Sequence, residues 1–195
     1  MPRTLTPGKR AEILNAASDV FARKAFHEVR TDEIAAEAGV GKGTLYRYFP
    51  TKEDLFYATL VAGFDEMDVV LEELRERGGD PAEALSGVAR EAIRIFWSRP
   101  SFYIILHRDA RRFRAREREM RRRREALVRF VRETIARGEA CGVFRPVDPR
   151  IATEMFLGMV RAAIFHRSGS DSPAVLVRAL TDAFVDGIGR RKEAS

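Results

Sequence analysis

Residues 31–49 read Thr-Asp-Glu-Ile-Ala-Ala-Glu-Ala-Gly-Val-Gly-Lys-Gly-Thr-Leu-Tyr-Arg-Tyr-Phe. Residues 31–38 suit a two-turn helix: Asp32 and Glu33 complement the dipole in the first turn, and Gly39 ends it. Residues 43–49 form a second short helix, closed by Pro50. Ile34, Ala35 and Ala38 of the first helix, Val40 of the turn, and Leu45 and Phe49 of the second supply one small core. That assignment leaves Thr44, Arg47 and Tyr48 facing outward. A short helix presented by its leading end fits a major groove, and Lys42, Gly43 and Thr44 are small or basic where a backbone must approach a duplex closely.

The rest of the chain also reads as helix. Over residues 9–24 the apolar Ile13, Leu14, Ala17, Val20 and Phe21 recur at helical spacing, and no run of alternating β-branched residues appears, so no sheet is expected. Thr51 can cap a fourth helix, which carries Leu55, Leu60, Phe64, Met67, Val70 and Leu71 up to the Gly78-Gly79 break. Further helices are predicted over residues 81–98, 102–109, 114–140, 148–167 and 173–188, bounded by Pro100, Gly142, Pro146, Pro149 and the 168–173 loop. Residues 155–165 are apolar nearly all round, which calls for burial on more than one side and points to a helix from another subunit.

Composition removes several function classes. The chain has 195 residues, 45% of them hydrophobic and 33% charged, and a single cysteine, Cys141. Neither an intrachain disulfide nor a cysteine-rich metal site can form. His27, His107 and His166 are scattered without a second ligand at helical spacing, so no metal is expected. The first ten residues lack the apolar core of a signal peptide, and the 155–165 stretch is short and interrupted by Arg161. A cytoplasmic protein without a membrane partner is expected. Gly39 to Thr44 resembles a phosphate loop only superficially, because Ala36 and Gly43 stand where such a loop needs Gly and Ser or Thr. With no Ser-His-Asp arrangement in a supporting context and no cofactor loop, neither an enzyme nor a cofactor is expected.

The net charge of +6 is local. Residues 1–55 hold nine Lys/Arg and eight Asp/Glu, whereas residues 108–124 hold ten arginines against Asp109, Glu117 and Glu119. Nucleic-acid binding must therefore be argued from motif geometry and not from the high pI.

At this point the sequence resembles the TetR family of bacterial transcriptional regulators. The resemblance runs over residues 13–55 through Ile13-Leu14-x-Ala16-Ala17, Phe21, Phe26, Ile34-Ala35-x-x-Ala38-Gly39-Val40, Lys42-Gly43-Thr44-Leu45-Tyr46, Tyr48-Phe49 and Lys52-x-x-Leu55. Gly41 stands where the family often has Ser, and Ala25 where it usually has Gly. The resemblance implies an all-α fold: a three-helix helix-turn-helix DNA-binding domain over residues 1–50, and a helical effector-binding and dimerisation domain over residues 51–195. It further implies that Thr31, Tyr46 and Lys52 hold DNA phosphates, that Lys42, Gly43, Thr44 and Arg47 face base edges, and that Tyr48 packs on the DNA backbone. The chemistry agrees, since hydroxyls and ammonium groups set register on a duplex and the Arg47 fork can read guanine, worth about 1–3 kcal/mol of discrimination. The implied partner is a palindromic double-stranded operator bound by a homodimer and released by a small effector; a helical interaction protein without DNA is the rival reading.

The effector end is less defined. Phe113, Met120, Leu127, Val131 and Ile135 form a stripe whose face also carries Glu117 and Arg124, so Arg124 is expected to point toward the core. Its partner would be Glu117 or the phosphate or carboxylate of a ligand. The other arginines read as a solvated face, with Glu117 and Glu119 pairing locally. Tyr103 and His107, one turn apart on a short apolar helix, suit either core or pocket wall. The expected effector site comprises Phe64, Phe96, Tyr103, His107, Arg124 and Met159, in a cavity between the fourth helix and the helices over residues 81–167. Ligand entry there would spread the recognition helices. A lipophilic anion such as an acyl-coenzyme A is expected, with an uncharged drug-like or aromatic compound as the alternative. The dimer contact is expected at Met155, Leu157, Val160, Ile164, Leu176, Leu180, Phe184 and Ile188, as a four-helix arrangement.

Overall fold

A computed structural model describes residues 6–97, 117–165 and 172–189. Its elements in chain order are α1 (Pro7–Arg23), α2 (Thr31–Glu37), α3 (Lys42–Tyr48), α4 (Lys52–Arg77), α5 (Pro81–Trp97), α6 (Glu117–Ala140), α7 (Pro149–Phe165) and α8 (Pro173–Ile188). Among the described residues there is no strand, only an isolated antiparallel bridge between Phe144 and Gly189. The helix expected over residues 102–109 and the first residues of the one over 114–140 lie outside the described residues. The chain divides into two compact units: residues 6–63, and residues 64–97 with 117–189.

The first unit forms around aromatic side chains. Phe56 is buried with its ring centroid 4.8 Å from that of Phe21 and 4.7 Å from that of Phe26. Ile13, Ala17, Val20, Ile34, Leu45, Phe49 and Leu55 complete the same core. Helix α1 buries six residues along its length, whereas the seven-residue α2 buries three and α3 one. Pro7 begins α1, where its missing N–H costs nothing. Thr51 and Asp54 cap α4 reciprocally: the Asp54 N–H donates to Thr51 Oγ1 (3.0 Å) and the Thr51 N–H to Asp54 Oδ2 (3.1 Å).

In the second unit α5 is the hub, packed against α6, α7 and α8. Its Leu85, Val88, Ala89, Ala92, Ile93 and Phe96 are all buried. Helix α6 contributes Phe130, Val131, Thr134 and Ile135 to the interior. Beyond α6 the chain folds back under Phe144, which lies so close to Gly138 that a Cβ there would sit 2.1 Å from the ring. Arg145 then binds the end of α8, donating its N–H to the Ile188 carbonyl (2.8 Å) and its Nε–H to that of Gly187 (3.1 Å). Asp148 starts α7 by accepting from the Arg150 N–H (2.8 Å) and the Ile151 N–H (3.3 Å).

The structure corrects the placement of Arg124. Its side chain is 50% exposed and pairs with Glu154 of α7 at 2.9 Å. The arginine on the less exposed face is Arg123, at 21%, which pairs with Asp65 and Asp68 of α4. The reason is helical phase. Seven residues before the buried Val131 is Arg124, but seven before Phe130, which is buried as well, is Arg123. The arrangement of α4 and α7 decides between them.

Candidate nucleic-acid interface

Helix α2 ends as its residues require. Ala38 caps it, Gly39 takes φ 61°, and the Val40 N–H returns to the Ala35 carbonyl (2.9 Å). The left-handed conformation at Gly39 turns the chain between two helices of seven residues each. Leu45, fully buried, and Phe49 fasten α3 to Ile34 and Ala35, with Ala38 and Val40 packed at the edge. The residues expected to form this small core do so.

Anchoring through Leu45 and Phe49 exposes the opposite side of α3. Lys42, Gly43, Tyr46 and Arg47 are exposed, while Thr44 and Tyr48 are half-buried. Lys42 and Tyr46 are one turn apart, as are Gly43 and Arg47, so these four share one outward surface. Each tyrosine is held by its hydroxyl. Tyr46 Oη is hydrogen-bonded to the buried Thr31 Oγ1 (2.9 Å), and Tyr48 Oη accepts from the Thr6 N–H (2.8 Å) just ahead of α1.

The charged groups around this surface are paired. Lys42 Nζ lies 2.9 Å from Asp32 Oδ1, and Arg30 Nη2 lies 3.7 Å from Asp32 Oδ2. The hydrogen bond to Lys42 holds the Asp32 carboxyl below its ordinary value and raises Lys42 above its own. Lys52 is engaged differently: its ammonium donates to the Phe26 carbonyl (2.8 Å) and the Val29 carbonyl (3.0 Å) and stands 4.4 Å from the centre of the Phe26 ring. It closes the turn between α1 and α2 from the start of α4.

Sequence reasoning missed Asp32 in this role, reading it only as a first-turn acid. Ten residues and a turn separate it from Lys42, and no periodicity links them.

The residues expected at an effector site are only partly brought together. Phe64 and Phe96 meet, with ring centroids 5.4 Å apart. Met159 instead lines a groove with Ile151, Met155, Phe184 and Ile188, Arg124 faces Glu154, and Tyr103 and His107 lie outside the described residues. Of the expected dimer contacts, Leu157, Val160, Ile164, Leu180, Phe184 and Ile188 are already buried within the protomer. Leu176 is half-buried, and only Met155 is fully displayed, at 60% exposure. Inward and outward faces of α7 and α8 both carry apolar residues, so hydrophobicity alone does not separate them. The large apolar side chains left exposed there are Ile151, Met155 and Val175, and the first two continue through the half-buried Met159 at a spacing of four.

Comparison with known proteins covers both units. Residues 13–59 match the family described as bacterial regulatory proteins, tetR family, and residues 78–188 match the tetracyclin repressor-like C-terminal domain. An uncharacterized HTH-type transcriptional regulator, YfiR of Bacillus subtilis (strain 168), is 28% identical over 170 residues, 77% of this chain and 76% of that protein. Among solved structures, a TetR/AcrR-family regulator from Thermobifida fusca YX-ER1 superposes with a TM-score of 0.76 at 25% identity, covering 94% of this chain and all of that one. AibR, solved in complex with isovaleryl coenzyme A and operator DNA, shares the fold with a TM-score of 0.69 at 24% identity, over 90% of this chain and 97% of its own.

Proposed function

From the premise that the chain belongs to the TetR family of bacterial transcriptional regulators, we propose that it is a repressor that binds a palindromic operator as a homodimer and is released by a small lipophilic effector. The observation that carries the DNA-binding reading is the outward surface of α3. Leu45 and Phe49 bury one side, and Lys42, Gly43, Tyr46 and Arg47 stand exposed on the other. An exposed guanidinium on a helix narrow enough for a major groove can donate twice to a guanine edge. Selection of duplexes from a random library by the purified protein, followed by gel retardation, tests the reading. An enriched inverted repeat with half-sites about one helical turn or somewhat more apart supports it. No enrichment and no retardation at micromolar protein overturns it.

Dimerisation is proposed through α7 and α8, whose exposed Ile151, Met155 and Val175 are best covered by the same helices of a second copy. Sedimentation as a monomer at micromolar concentration overturns that assignment. For the effector we propose an acyl-coenzyme A, supported by the ligand of AibR, by the apolar Phe64–Phe96 pair and by the arginines at the start of α6. One observation favours the alternative of an uncharged drug-like or aromatic ligand: Arg123 and Arg124 already have carboxylate partners in Asp65, Asp68 and Glu154. Titration of acyl-coenzyme A thioesters, short and long, against the protein–operator complex separates the two. Release supports the thioester, and no release at any chain length leaves the uncharged ligand.

A further inference from the structure

The first turn of α2 grips α3 at two points. Thr31 is hydrogen-bonded to Tyr46 and Asp32 is paired with Lys42, so consecutive residues of α2 meet residues one turn apart on α3. The two contacts differ in kind. Thr31 is buried and its bond is neutral, which fixes the helices relative to each other. Asp32 and Lys42 are 47% and 57% exposed and charged, with Arg30 on the second carboxylate oxygen. As a structural strut such an exposed ion pair contributes little. It does, however, place a carboxylate beside the surface that carries Arg47.

We infer that Asp32 is a specificity-determining residue of this surface: by holding Lys42 it restrains sequence-independent binding to DNA phosphates. The proposal rests on the operator-binding reading above. A lysine facing a duplex binds phosphate whatever the sequence, and each such contact adds about 0.9 to the logarithmic salt slope. To make that contact Lys42 must turn toward a phosphate, which draws it off Asp32 or carries the Asp32 carboxylate with it into the phosphate field. On an operator the demand is smaller, because Arg47 contacts base edges and Lys42 has three N–H donors, one of which can stay with Asp32 while another reaches a base acceptor. Asp32 therefore discounts binding to random DNA more than binding to the operator. The pair persists through neutral pH, since the carboxyl is held below and the ammonium above its ordinary value.

The test compares the full-length wild type with Asp32→Asn, Asp32→Glu, Lys42→Met and the Asp32→Asn/Lys42→Met double variant. The probes are a duplex enriched by the wild type and a scrambled duplex of the same length, across a salt series. Asp19→Asn, which removes a negative charge from α1 that acts on Arg23, is the charge control. Asp32→Asn is expected to tighten scrambled-duplex binding about three- to tenfold and steepen its salt slope by about one, with a change of about twofold or less on the enriched duplex. Asp32→Glu is expected to keep the wild-type ratio, and Asp32→Asn to have no effect on a Lys42→Met background. Equal tightening on both duplexes, or the same effect without Lys42, overturns the proposal by making Asp32 a bulk charge like Asp19. Should Asp32→Asn not fold, Lys42→Met alone decides: a restrained lysine leaves the scrambled-duplex slope within about half a unit of wild type, whereas a loss of about one places Lys42 on phosphate already and overturns the proposal. Wild type that binds neither duplex overturns the operator-binding reading and this inference with it; wild type that binds with an Asp32-independent ratio overturns the inference alone.

Discussion

Helices α2 and α3 have seven residues each, whereas α5, α6, α7 and α8 have between sixteen and twenty-four. A seven-residue helix has two turns, and once its buried side is chosen every other position has a definite place. Leu45 and Phe49 go inward, so Lys42, Tyr46 and Arg47 go outward. A helix such as α6 has six or seven turns and neighbours on several sides, and a small rotation exchanges the surroundings of adjacent residues. Arg123 and Arg124 show the result: one reaches Asp65 and Asp68 on α4, the other Glu154 on α7. The first unit is therefore constrained residue by residue and the second mainly face by face.

The most disruptive test of that contrast is Phe56→Ala. Phe56 is buried within 5 Å, centroid to centroid, of both Phe21 and Phe26, so its truncation opens a cavity inside this core. A loss of about 3–5 kcal/mol is expected in urea unfolding. A loss below about 1 kcal/mol would mean that the first unit adapts as freely as a long-helix bundle.

Two substitutions on either side of the turn sharpen the contrast at the interface. Lys52→Met removes the donor to the Phe26 and Val29 carbonyls, so it should cost about 1–3 kcal/mol of stability. Arg47→Ala should leave stability within about 0.5 kcal/mol and relax base preference at one position of each half-site by about 1–3 kcal/mol. Equal losses on operator and scrambled DNA for Arg47→Ala would remove its base-reading role.

In the second unit the effects are smaller. Arg124→Met breaks an exposed pair with Glu154, worth about 0–1 kcal/mol, and Arg123→Met, with two carboxylate partners and less exposure, should cost more. Thermal melting of the two variants orders them, and the reverse order would return Arg124 to the inward face. The smallest effect concerns pH. The Asp148 carboxyl is held below its ordinary value chiefly by the Arg150 N–H, so its stabilisation of α7 is present above the ordinary carboxylate range and is lost as pH falls through the lowered value. Asp148→Asn should shift melting by a degree or two at most near neutrality, about the scale of a cap exchange, and flatten the acid limb. An acid limb identical to wild type would show that this carboxylate does not contribute.

Much of this was legible because it depends on local chemistry. Residues 31–38 and 173–188 read as helices and fold as Thr31–Glu37 and Pro173–Ile188, since stop and start signals at Gly39 and Ser172-Pro173 act within a turn of themselves. The outward surface of α3 was legible only in part: its anchors Leu45 and Phe49 are a few residues away and Arg47 is exposed as expected, but Thr44 and Tyr48, also expected outward, are half-buried, Tyr48 because it packs against the core, and Tyr46 is exposed instead. The Asp32–Lys42 pair was not legible, because it joins two helices across a turn.

Residue chemistry alone specified the helices among the described residues and the breaks between them, a helix-turn-helix with Arg47 and Lys42 displayed, and the family to which these belong. Propensity, capping and apolar spacing act over three or four residues, and that range covers each of those features. Only the tertiary structure decided which of two adjacent arginines is sheltered, that Lys52 is spent on backbone carbonyls, and that Leu157, Val160 and Phe184 are buried within one protomer while Ile151 and Met155 are left outside. Those outcomes turn on the rotation of each helix against its neighbours. An apolar stripe fixes that rotation only to within about one residue, because a helix turns 3.6 residues at a time and either side of a wide stripe can face the core.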